Sequence, residues 1–61
     1  MAAMENYVAW VKGLSNVELN KEIEKNRRNR DATTVERNRN AWQRLLTVSL
    51  GEANRRDNPI G

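Results

Sequence analysis

The sequence predicts an all-α fold: an antiparallel helical hairpin with a short N-terminal helix packed across it. Three observations predict it. Apolar residues recur at helical spacing in three separate stretches. A capping signal, Ser15-Asn16-Val17-Glu18, fixes the start of the second stretch. Breakers separate the stretches, Gly13 after the first and Asp31-Ala32-Thr33-Thr34 after the second. The helices are expected at about 3–12, 16–30 and 34–53, in a single domain over 1–54 with a flexible tail over 55–61.

The first helix rests on Met4, Tyr7, Val8, Val11 and Leu14, which share one face. Trp10 lies at the margin of that stripe. Gly13 is expected to end the helix in the left-handed conformation that only glycine enters without steric cost. A helix of about ten residues does not stand alone in water and must dock.

Leu14 to Leu19 carries the clearest local signal. Ser15 and Glu18 have the spacing of a capping box, and Leu14 and Leu19 that of a hydrophobic staple. The second helix then shows a narrow apolar stripe, Leu19 and Ile23. The same face continues into polar Asn26, Arg27 and Arg30, so the helix is expected to be buried at its start and solvated or bound at its end. Glu18, Glu22 and Glu24 are expected on its exposed side. Glu22 with Lys25, and Glu24 with Arg27 or Arg28, have ion-pair spacing.

The turn that follows offers two caps for the third helix: Thr33 with Glu36 repeats the capping-box pattern, and Asp31 stands slightly earlier. Because no Gly or Pro enforces the break, one continuous helix from Asn16 past Leu50 is the alternative. In the third helix Val35, Trp42, Leu46 and Ala53 fall on a narrow arc flanked by Leu45 and Leu50. Gly51 either ends it or sits inside it. The core is thus expected at the end shared by Leu19, Ile23, Leu45, Leu46 and Val48, with the polar tip at the other.

Sixty-one residues without cysteine make a marginal domain, since a chain this short buries only about 60% of its unfolded surface. Self-association, as a homodimer, is expected. The net charge of +3 is unevenly spread. Residues 1–24 carry a balance of −2, residues 25–44 of +5, and residues 45–61 are neutral. No apolar run approaches the ~18–20 residues of a membrane span, and the N-terminus lacks a signal-peptide layout. A soluble, cytoplasmic protein without membrane contact is expected.

The absence of histidine and cysteine removes the commonest general base, zinc ligands and thiol nucleophile. No glycine-rich phosphate loop is present. No enzyme, cofactor, metal or small-molecule substrate is expected.

Asn26 to Arg44 holds six arginines and four asparagines. Arginine presents a planar fork suited to phosphate and carboxylate, and Arg and Asn read base edges. Arg27, Arg28, Arg30, Arg37, Arg39 and Arg44 are the candidate contacts to nucleic acid or an acidic partner. The bland reading is a solvated hairpin tip. Met4, Tyr7, Trp10, Val11, Trp42 and Leu46 are the candidate oligomer or partner surface, because aromatic anchors dominate interfaces. Core filling is the competing role for both tryptophans, and the stronger one for Trp42.

The runs Asn26-Arg27-Arg28-Asn29-Arg30 and Arg37-Asn38-Arg39-Asn40 resemble the arginine-rich RNA-binding helices of viral and phage regulators. Those helices carry denser basic runs, whereas Asp31, Thr33, Thr34 and Glu36 interrupt this one. Over its whole length, in size and style, the chain resembles the small helical accessory proteins of lambdoid bacteriophage early regions. That second resemblance carries no motif. It implies a dimer acting as a regulator or adaptor on a host protein in the bacterial cytoplasm. The resulting expectation is a non-enzymatic protein-interaction module, with nucleic-acid binding through 26–44 as the alternative.

Overall fold

The computed structural model describes residues 2–56 of the chain. They form three α-helices, α1 (Ala2–Lys12), α2 (Asn16–Ala32) and α3 (Glu36–Arg55), with no strand among the described residues. The break at 33–35 rules out one continuous helix. The remainder of the expected tail, 57–61, lies outside the described residues.

α1 ends differently from expectation. Gly13 does not adopt a left-handed backbone. Instead its N–H donates to the Trp10 carbonyl and the Leu14 N–H to the Val11 carbonyl, each at 3.1 Å. These i→i−3 bonds tighten the last turn into a 3₁₀-like finish. The terminal carbonyls are met by a side chain distant in sequence, Arg56, described below.

α2 starts as the sequence predicts. The Ser15 N–H donates to Glu18 Oε1 at 2.9 Å and the Glu18 N–H donates to Ser15 Oγ at 3.1 Å, a complete capping box. The Ser15 backbone N–H, seconded by its side chain, holds the Glu18 carboxyl below its ordinary range. Lys25–Glu22 and Arg27–Glu24 pair at 3.0 and 3.1 Å. The expected caps of α3 are not used. Thr33 closes α2 instead, its hydroxyl donating to the Asn29 carbonyl at 2.6 Å. Asp31 accepts from Arg30 at 3.0 Å. The N-cap of α3 is Val35, which makes no side-chain cap bond. Glu36 in the first turn supplies a negative charge to the exposed helix N-terminus. α3 then runs through Gly51 without interruption.

The side-chain bonds between α2 and α3 fix their direction. Asn16 meets Arg56, Asn26 meets Ser49, and Arg30 meets Gln43. One series rises while the other falls, so the two helices are antiparallel. α1 lies alongside the C-terminal half of α3 rather than at the tip: Met4 borders the same depression as Gln43 and Val48, and Val11 the same one as Gly51 and Glu52.

The core lies at the predicted end. Val11, Leu19, Ile23, Leu46 and Ala53 are buried, with Tyr7, Leu14, Val48 and Leu50 packed against them. Trp42 is half-buried and is not among the residues packed against this cluster. Val35, placed on the apolar arc by the sequence, is exposed outside the helix. Two further readings are corrected. Glu22, expected on the exposed side, and Asn26, expected on a face solvated or bound, are both buried within the chain, and the Tyr7 hydroxyl of α1 bonds to both.

Candidate functional site

An apolar groove runs between α1 and α3. It consists of two depressions, of about 290 and 350 Å³, that share Val48. Val8 and Gly51 line one, and Met4 and Thr47 the other. The groove exists because α1 carries apolar residues on two flanks of its stripe. Val11 inserts into the core while Met4 and Val8 stay half-exposed above α3. Gly51 adds to the opening. A Cβ there would meet nothing within 4 Å, so no contact inside the chain requires a glycine. In a helix interior it costs roughly 1 kcal/mol relative to alanine.

The opposite flank of α1 carries Trp10, 51% exposed, its ring 5.8 Å from that of Tyr7. Of the six residues the sequence nominates as an interaction surface, Met4, Tyr7, Trp10 and Trp42 are therefore reachable from solvent. Val11 and Leu46 are interior, at 0% and 2% exposure, and support that surface from below.

Beneath the surface sits a polar cluster that periodicity did not reveal. The Tyr7 hydroxyl donates to Glu22 Oε2 at 2.7 Å. Asn26 Nδ2 donates to the Tyr7 hydroxyl at 3.0 Å and to Ser49 Oγ at 3.3 Å. Ser49 Oγ donates to the Leu45 and Leu46 carbonyls, each at 3.0 Å. Both hydroxyls spend their protons elsewhere, so the Asn26 amide must donate to them, and its Oδ1 has no hydrogen-bond partner among the described residues. Burial, then the hydrogen bond to the Glu22 carboxylate, pushes the Tyr7 hydroxyl up to about 12. The signal was present: Asn26 follows Leu19 and Ile23 on one face, and Ser49 sits between Leu46 and Ala53. Read as the edge of the core rather than as solvent, both positions call for a partner.

The second unforeseen element is Arg56. Its Nη1 donates to the Leu14 carbonyl at 2.7 Å and to Asn16 Oδ1 at 3.2 Å. Its Nη2 donates to the Lys12 carbonyl at 2.8 Å and the Val11 carbonyl at 3.4 Å, and its Nε to Glu52 Oε2 at 2.6 Å. One guanidinium thus satisfies the last carbonyls of α1, which a helix end leaves open. Glu52 also accepts from Arg55 at 3.0 and 2.6 Å. Hydrogen bonds from Arg55 and then Arg56 hold the Glu52 carboxyl down at about 2. Both arginines, placed in the tail by the sequence, are engaged, and no local pattern announced it.

The tip arginines do not form one surface. Arg27 pairs with Glu24. Arg30 bonds Asp31 and Gln43. Arg39 reaches the Thr33 carbonyl at 3.4 Å. Arg28, Arg37 and Arg44 have no hydrogen-bond or ion-pair partner among the described residues. Arg28 lines a depression of about 690 Å³ with Lys21 and Lys25 on the outer face of α2. Only α2 residues line it, so it is an open stripe with no opposing wall. Arg44 instead borders the α1–α3 groove. Among the described residues, no three acidic, histidine or cysteine side chains gather to hold a metal, and no helix is long and apolar enough to cross a membrane.

No family model, no curated protein and no solved structure matches this chain.

Proposed function

We propose that the chain is a small non-enzymatic protein-interaction module of phage or prophage type, which pairs with itself and regulates a host protein by binding it in the cytoplasm. The observation that carries this reading is the surface of α1. A half-exposed apolar groove opens on its α3 side, and an exposed Trp10 stands on its other flank. Apolar and aromatic groups left at the surface, where only five apolar side chains among the described residues are buried, favour a protein partner. The groove suits self-association, Trp10 suits the host protein, and the Asn/Arg tip offers a second, polar contact.

Nucleic-acid binding through 26–44 is the alternative reading. Arg28, Arg37 and Arg44 favour it, being unpaired among the described residues. The engagement of Arg27, Arg30 and Arg39 with acids, an amide and a carbonyl weighs against it, because a phosphate-binding face would present these forks together.

The test is affinity isolation from a bacterial lysate with the wild-type chain, a Trp10→Ala variant and a variant carrying Arg28→Ala, Arg37→Ala and Arg44→Ala. The proposed function requires one host protein retained by wild type and by the tip variant, and lost with Trp10→Ala. Retained material that nuclease destroys, that the tip variant loses, and that salt releases with a log-log slope near −0.9 per phosphate contact would make the chain a nucleic-acid binder.

A further inference from the structure

We infer that the groove between α1 and α3 is filled by α1 of a second copy of this chain, the two helices packing antiparallel about a two-fold axis between Val8 and Ala9. The inference rests on the interaction-module reading above and names the occupant and its register.

The argument starts from charge. Glu5, Val8, Ala9 and Lys12 stand at i, i+3, i+4 and i+7, so they form one stripe of α1. All but the half-buried Val8 are exposed. Glu5 and Lys12 have no ion-pair partner among the described residues. They lie symmetrically about the midpoint between Val8 and Ala9. When two such helices pack antiparallel about that midpoint, Glu5 of each copy faces Lys12 of the other. A two-fold interface requires this self-complementarity, residue i meeting j and j meeting i. A parallel pairing in the same register would set Glu5 against Glu5 and Lys12 against Lys12.

Shape agrees with charge. Ala9 at the axis is small enough for the helices to approach closely. Met4 and Val8 of one copy then cover the Val48 floor of the other. Gly51, exposed on the same groove and required by no contact within its own chain, leaves room for the incoming helix. The groove has an apolar floor and a clearance on α3, and Val8 and Lys12 at its edge continue into the outer stripe of α1, whose Glu5 and Lys12 select another α1 in one orientation.

Sedimentation equilibrium of the full chain tests this with five samples: wild type, Glu5→Lys, Lys12→Glu, an equimolar mixture of those two variants, and Gly51→Gln. The wild-type chain dimerises. Each single charge reversal places two like-charged pairs across the axis and weakens the dimer roughly tenfold or more at low salt. The mixture recovers wild-type affinity, because the doubly basic α1 stripe then faces the doubly acidic one. Gly51→Gln raises helix content but loses the dimer, which separates a blocked groove from a damaged fold. A wild-type dimer indifferent to both reversals and to Gly51→Gln overturns the inferred register while leaving a self-associating interaction module intact. A chain that stays monomeric to about millimolar concentration removes the second copy as occupant. The host-protein reading is then judged separately by the Trp10 experiment.

Discussion

Arg56 shows how much one side chain can carry in a chain this short. Its side chain is 17% exposed, its guanidinium spans the last turn of α1, and it is steered there by the buried Glu52 carboxylate. Charge-assisted bonds of this kind are worth roughly 1.5–3 kcal/mol each when a buried partner is left open. Arg56→Ala should therefore cost about 2 kcal/mol, read as a lower urea midpoint. Arg56→Lys should recover only part of it, because an ammonium cannot reproduce the planar fork. Glu52 adds a pH dependence. Its folded-state pKa, about 2, lies below the ordinary value of 4.5, so its contribution is present above about pH 4.5 and is lost as pH falls toward 2. The urea midpoint of the wild-type chain should fall across that window. A Glu52→Gln variant should start lower and show a shallower decline.

Among the helices, what the sequence disclosed and what it hid divide by distance along the chain. The Ser15–Glu18 box was legible because both partners lie within four residues of each other and serve no other purpose. Thr33 was misassigned for the same local reason, since it fits the end of one helix as well as the start of the next. The deeper bond, to the Asn29 carbonyl, took it. Tyr7, Glu22, Asn26 and Ser49 meet only once all three helices are packed, and Arg56 meets α1 across more than forty residues. Periodicity reports which face is buried, not which polar groups on its edge will find partners. The candidate site divides likewise: Met4 and Trp10 were legible on α1, whereas the groove needed α3 alongside. The two ends of α1 and α2 give a matched pair of outcomes. Ser15→Ala should destabilise by about 1 kcal/mol. Gly13→Ala should be neutral or stabilise by about 0.5 kcal/mol, because the backbone there is not left-handed and a Cβ meets only the Trp10 carbonyl at 3.5 Å. Chemical denaturation of both variants checks the pair. A large loss in Gly13→Ala would mean that Gly13 is left-handed in solution.

The whole molecule is a thin plate, with Cα extents of 31 × 29 × 15 Å. Its short dimension is that of two packed helix layers, and among the described residues only five apolar side chains are buried. If a second copy supplies the missing cover, stability depends on protein concentration. The thermal midpoint should rise by about 5 °C for each tenfold increase in chain concentration, and scanning calorimetry over two decades measures it. A concentration-independent midpoint would mean that the plate is stable uncovered. The Arg56 clamp also sets an order of events during synthesis. α1 leaves the ribosome before α2 and α3, yet the carbonyls of its last turn stay open to water until position 56 has been made. Domains generally fold as units once their chain has emerged. Here the first helix waits for nearly the last described residue, so the chain completes its fold only after translation has passed the whole hairpin.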